Sequence, residues 1–261
     1  MKKLILTLLT ASILVGAAQA QTAGNKPATE KQENFEHLAD RFADLQVLRY
    51  KIDGFETLNP KQKELCYYLY QAALSGRDMI WDQNYKHNLR VRKTLEAIIS
   101  SYKGDKKSDQ YQLFLTYAKR VFFSNGIHHH YSSKKIIPNF NEQFLSTLIY
   151  GSNAKLLPLQ PGESVKDFVG FITPVICDPN KDAKKINLAA NEDLLQTSAM
   201  NFYEGLSQAE VEAYYEKKID KKDPTPISYG LNSKLVKENG EIKEKVWKVG
   251  GMYNNSIVKI V

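Results

Sequence analysis

The chain has 261 residues, 43% of them apolar and 25% charged, with 15 tyrosines and 11 phenylalanines. That is ordinary globular usage with ample aromatic material for a core, and it excludes wholesale disorder. The net charge of +7 is carried by lysines interleaved with acidic residues, without the dense Lys/Arg block of a nucleic-acid face, so no nucleic acid is expected as a partner.

The first twenty residues, MKKLILTLLTASILVGAAQA, set Lys2 and Lys3 before an apolar run from Leu4 to Ala18. Ala18-Gln19-Ala20 is an A-x-A cleavage pattern, so residues 1–20 read as a secretory signal peptide cut after Ala20. The run is short for a membrane span, which takes about 20 residues, and no cysteine follows it for lipid attachment. An exported chain, periplasmic or secreted and free of the membrane after cleavage, is expected. Loss of Lys2 and Lys3 lowers the net charge from +7 to +5. Residues 21–34 are a polar leader, and the folded part is expected to run from 35 to 261.

Phe35, Leu38, Phe42, Leu45 and Leu48 recur at helical spacing and predict an amphipathic helix ending before Gly54. Pro60 opens a second helix with Leu65, Leu69, Ala72 and Ala73 as its apolar stripe, interrupted at Gly76. Cys66 lies in that stretch and reads as a small core hydrophobe; whether it pairs with Cys177 is open. Two more helices follow, from Asn84 to Tyr102 and from Gln110 to Phe123. Phe122 and Phe123 are expected to anchor the end of the latter, with Asn125-Gly126 turning the chain.

After the run His128-His129-His130 and Pro138, a short helix is predicted around Glu142 to Tyr150. Ser164-Val165-Lys166-Asp167 resembles a capping box, yet the FVGFITPVICDP that follows leans towards β and stops at Pro179. Ser207-Gln208-Ala209-Glu210 is a full capping box opening a helix with Val211, Tyr214 and Tyr215 buried. Two β-rich runs around Asn239-Gly240 predict a hairpin with a type I′ turn. Val246 falls on one face of the second run and Trp247 and Val249 on the other. Both faces therefore ask for cover, as in a small barrel or a sheet under helices. MYNNSIVKIV begins another helix, and the chain reads as a C-terminally truncated piece of a longer frame. The class is α+β, helices first and sheet late.

Zincin-type sites hold two histidines at i and i+4 with a glutamate between them. Here His37 is followed by Leu-Ala-Asp-Arg and His87 by Asn-Leu-Arg-Val. In an extended strand His128 and His130 would point one way and His129 the other, so at most two converge, whereas a closed site needs three or four ligands. No metal site is expected. Nor is there a G-x-S-x-G elbow, a Walker loop, a G-x-G-x-x-G or a C-x-x-C.

Three stretches carry a resemblance. They are FADLQVLRYKIDGFETLNPKQKELCYYLYQAALSGRDMIWDQNYKHNLRVRKTLEAI, YQLFLTYAKRVFFSNGIHHHYSSKKIIPNF and SYGLNSKLVKENGEIKEKVWKVGGMY. Together they resemble the beginning of bacterial dipeptidyl peptidase III, over about Phe35 to Val261. The resemblance implies a zinc exopeptidase that releases dipeptides from the N-termini of short peptides. It implies two lobes around a cleft: a lower lobe with a small β-barrel and helices, and a helical, zinc-carrying upper lobe.

The family's H-E-x-x-G-H, its E-E-x-R-A-[DE] and its N-G-F-x-E-x-Y-like segment are absent from these 261 residues. What remains corresponds to roughly the first third of the enzyme, without the upper lobe, and is expected to be inactive and to bind no zinc alone. By position from Pro138-Asn139, the family's peptide-contacting polar and aromatic pair falls on His130 and Tyr131, with histidine in place of a smaller residue in some members. The alternatives are a stand-alone peptide-binding or structural domain and, resting on charge alone, a binder of acidic partners.

Overall fold

The computed structural model describes residues 35–223, 230 and 232–261; the expected signal peptide and leader lie outside the described residues. From His37 onward the chain forms one unit of α+β class.

The first expected helix is instead a hairpin. Strands β1 (Leu38–Phe42) and β2 (Leu45–Leu48) pair antiparallel, Phe42 opposite Leu45, around Ala43 in the left-handed region (φ +49°). The sequence supports both periods, and tertiary contact chooses. Period 2 sets Asp40 and Phe42 on one face. There Lys119 bonds Asp40 at 2.7 Å and its ammonium stands 5.3 Å from the Phe42 ring centre. Phe42 also meets Phe123 edge-on at 6.4 Å.

Helix α1 (Pro60–Ser75) begins with a complete capping box, Asn59 with Gln62, and Gly76 separates it from α2 (Arg77–Asn84). It buries none of its residues: Leu65 is 57% and Leu69 61% exposed, so the expected apolar stripe stays in solvent. Cys66 is correspondingly exposed rather than a core residue. Both cysteines are free, and Cys177 is half-buried.

The core lies among α3 (Asn88–Ser101), α4 (Asp109–Ser124), α5 (Glu142–Tyr150) and α6 (Val165–Cys177). Leu95, Ile98, Phe114, Val121, Leu145, Leu148, Phe168 and Ile172 all belong to this one cluster and are fully buried. The β-leaning segment is helix α6. Ser164 Oγ accepts from the Asp167 amide at 3.1 Å and donates to the Asp167 carboxylate at 2.6 Å, a cap that commits the following residues to helix. Phe168, Val169, Ile172, Val175 and Ile176 then fall on one buried stripe. Pro174 sits inside it; Gly170, whose carbonyl loses its helical donor, is exposed, so water can replace the bond.

Helix α7 (Leu194–Thr197) precedes strand β3 (Tyr203–Glu204), and helix α8 (Gln208–Glu216) carries the expected capping box, Ser207 with Glu210. Strands β4 (Ser233–Glu238) and β5 (Glu241–Val246) form the expected hairpin, with Asn239 and Gly240 at φ +52° and +83°, as a type I′ turn requires. β3 joins β4 in parallel, Tyr203 beside Leu235, giving the order β3-β4-β5. These three strands make a small open sheet, separate from the β1-β2 hairpin, and not a barrel. Leu206, Val211 and Leu235 form a second small core, while Val246 and Val249 stay exposed. Trp247 instead packs between Phe202 and Tyr253. The last helix, α9 (Asn254–Ile260), lies against α1. No helix among the described residues is long and apolar enough to cross a membrane.

Candidate functional site

The histidine run is a turn with a rigid root. Helix α4 stops because Asn125 enters the left-handed region (φ +51°), and Gly126 follows at φ +148°. A Cβ on Gly126 would lie 2.2 Å from Asn88 Nδ2, so only glycine lets the chain pass there. Asn88, fully buried, donates to the Trp81 carbonyl at 3.0 Å and accepts from the Ile127 amide at 3.1 Å. It thus ties the end of α2, the start of α3 and the root of the turn together.

From Ile127 onward the chain doubles back. Ile136 N donates to Ile127 O at 2.7 Å, His129 N to Lys134 O at 2.8 Å and Ser133 N to His129 O at 3.1 Å. A third segment closes on this ribbon: Lys135 N bonds Ala183 O at 2.9 Å and Lys185 N bonds Ser133 O at 2.7 Å.

The three histidines divide in a way that strand alternation does not describe. His128 is buried; its Nε2 donates to the Asp182 carbonyl at 2.6 Å, and its Nδ1 has no partner. Its ring meets Tyr85 edge-on at 5.5 Å, and the Tyr85 hydroxyl donates to the Asp182 carboxylate at 2.5 Å. Burial pushes the His128 pKa down to about 4, against the smaller opposing pull of the Asp182 carbonyl, so the ring is neutral near pH 7. His87, packed against Tyr85 and Phe171, is likewise pushed down to about 4 by burial and then by Lys86. Burial, followed by Asp182, raises the Tyr85 hydroxyl well above its ordinary range.

His129 and His130 stack on each other instead, ring centres 4.5 Å apart at 26°. The chain is turning at 130–132, so neighbouring side chains no longer alternate across a strand. His129 Nδ1 accepts from the Tyr131 and Ser132 amides at 3.2 and 3.1 Å, which holds the turn shut. His130 lies between Phe123 (5.1 Å) and Tyr131 (4.4 Å), with Ser124 Oγ 3.4 Å from its Nδ1. Burial, then His129 and Lys185, lower its pKa. Tyr131 is 86% exposed. Phe122 reaches the core edge against Trp81, but Phe123 is a surface residue between Phe42 and His130.

The two residues singled out from sequence, His130 and Tyr131, thus come together, a half-buried imidazole backing an exposed ring. Asn88, Tyr85, Asp182 and Lys135, which hold it in place, carry no local sequence signal. Asn125-Gly126 alone announces the turn. The buried Lys135 Nζ donates to the carbonyls of Asp178 and Lys181 at 2.6 and 2.9 Å. Among the described residues no three His, Cys, Asp or Glu side chains converge to hold a metal ion. One cavity of about 450 Å³ is lined by Trp81, Phe122 and Asn125 and another of about 430 Å³ by Asp182, Asn201 and Tyr203; Tyr131 lines neither.

No protein-family model and no curated protein matches this chain.

Proposed function

We propose that the chain is the N-terminal, lower-lobe part of an exported zinc-dependent dipeptidyl peptidase III, and that the turn at His130 and Tyr131 is a wall against which a short peptide lies. The observation that carries the reading is the Tyr131 ring, held out in solvent on the His129–His130 stack while His128 and Asn88 anchor the turn from below. An exposed aromatic face on a rigid root binds at little entropic cost, because the ordering is already complete before the peptide arrives. The three long stretches resembling the family, and the signal-peptide pattern, support the same reading.

Zinc-activated water, with a glutamate as base, is what the complete enzyme would use for hydrolysis, and both belong to residues outside these 261. This chain's own part is positioning. Tyr131 packs on a peptide side chain, and His130 offers a ring nitrogen to its backbone.

Isothermal titration of the chain with tetra- and pentapeptides tests this. Binding should weaken about 5- to 30-fold in Tyr131→Ala, as expected from losing part of one aromatic burial. Affinity unchanged by that substitution would remove the wall. The chain alone should release no naphthylamine from Arg-Arg-2-naphthylamide, with or without added zinc; chelator-sensitive release would place the metal site within it. An in-frame H-E-x-x-G-H downstream in the gene is expected, and a frame closing without one favours a stand-alone binding domain.

A further inference from the structure

The segments that form the ribbon at the histidine turn, 128–135 and 181–185, carry five lysines and one acidic residue. Folding brings their charges together. Lys134 and Lys184 stand opposite each other as antiparallel partners. The flanking bonds, Lys135 N to Ala183 O and Lys185 N to Ser133 O, make them a pair of the closely spaced kind, in which like charges repel. Lys185 lies near enough to His130 and His128 to act on both: after burial, it is among the charges that depress their pKa values.

The local carboxylates do not answer this charge. Asp182 is turned to the Tyr85 hydroxyl, and Asp44, which also acts on His130, pairs with Arg120 at 3.4 Å. Lys184 Nζ reaches only the neutral Asn187 Oδ1, at 2.9 Å. Among the described residues no carboxylate pairs with Lys134, Lys184 or Lys185. Elsewhere lysines find one: Lys119 with Asp40, Lys237 with Glu210, Lys245 with Glu238. A ribbon that holds like charges together without a counter-ion raises its own energy, and a bound anion lowers it. The field reaches about 10 Å at moderate salt, so lysines on either face of so thin a ribbon act on a group at the turn.

We propose that this lysine frame receives a carboxylate of the peptide lying on the His130–Tyr131 stack, so that the wall selects peptides with a negative charge next to the residue packed on Tyr131. The proposal rests on the peptide-binding reading above. The carboxylate comes from the peptide's own C-terminus or from a Glu or Asp side chain; both present the same group.

The test is isothermal titration of the whole chain with one pentapeptide in three forms: free acid, C-terminal amide, and amide with glutamate as the last residue. At low salt the acid should bind about five- to tenfold more tightly than the amide. In Lys134→Gln/Lys184→Gln/Lys185→Gln the advantage should shrink below about twofold, and raising salt to about 0.5 M should shrink it likewise in the wild type. The neutralised lysines are surface groups, and an unchanged circular dichroism spectrum checks the fold. Gain in the glutamyl amide equal to that in the acid assigns recognition to the charge in general; gain in the acid alone assigns it to the chain end. Equal binding of acid and amide, or an advantage that survives the triple substitution, overturns the proposal and leaves the aromatic wall standing. Absence of binding by all three forms brings down both.

Discussion

Helices α1 and α3 have similar local credentials and opposite fates. α1 has a proline at its first turn, a complete capping box and leucines four apart. α3 has no side-chain cap at all, His87 standing before it in a near-helical conformation. Yet α3 buries Val91, Leu95 and Ile98 in the main core, whereas α1 leaves Leu65 and the four consecutive residues Tyr67, Tyr68, Leu69 and Tyr70 in solvent. Capping and periodicity make a helix; they do not choose its partner. α3 lies between α2, α4 and α5, while α1 packs mainly on the short α9. The same division runs through the histidine turn, where His128 belongs to the core and Tyr131, three residues on, to the surface.

The strongest way to break this comparison is to truncate both helices equally. Leu95→Ala should cost about 2–5 kcal/mol in urea unfolding, from lost burial plus the cavity left behind. Leu69→Ala should change stability by less than about 0.5 kcal/mol. Comparable losses would mean that α1 is covered in solution.

The pH dependence of stability comes next. Above the ordinary histidine pKa near 6.5, His128 is neutral whether the chain is folded or not. As pH falls from there, the unfolded chain takes up the proton while the folded one refuses it until about 4. Stability therefore drops as pH falls through the window from 6.5 to 4, by on the order of 3 kcal/mol for this fully buried ring. Equilibrium unfolding at a series of pH values should show that slope reduced in His128→Asn. A slope that stays the same would place the depressed titration on other groups, His87 first.

Caps give a smaller and sharper contrast. Ser164→Ala, at the head of the buried α6, should lower global stability by about 1 kcal/mol. Asn59→Ala removes an equivalent cap from α1, but its effect should appear as faster amide hydrogen exchange within 60–75 and scarcely in the unfolding midpoint, because an exposed helix opens locally before the core does. Tyr131→Ala should be the least disruptive of all, within about 0.5 kcal/mol in stability, its effect confined to peptide binding.

Much of the architecture is legible from residues alone, wherever a local interaction is strong enough to decide. The capping box at Ser207 starts α8 as read, Asn239-Gly240 makes the I′ hairpin, and Glu142–Tyr150 is a helix. These are short-range effects: a side chain meets a backbone group three residues away, or a backbone region only Asn and Gly enter cheaply. Where two local readings compete, the outcome depends on what lies across the fold. Leu38–Leu48 fits both a helical and an alternating pattern, and Lys119 and Phe123 of α4 select the hairpin. The FVGFITPVIC stretch is rich in β-branched and aromatic residues, but the Ser164 cap and a helical stripe facing Leu145 and Leu148 overrule that propensity. The site shows the same limit. His130 and Tyr131 could be picked out along the chain, but not the direction of each histidine, because the bonds that decide it come from Asp182, 54 residues beyond His128, and from Asn88, on another helix. Sequence determines which side chains can be buried, capped or turned; only the folded chain, by bringing distant donors, acceptors and charges to one place, decides which of them are.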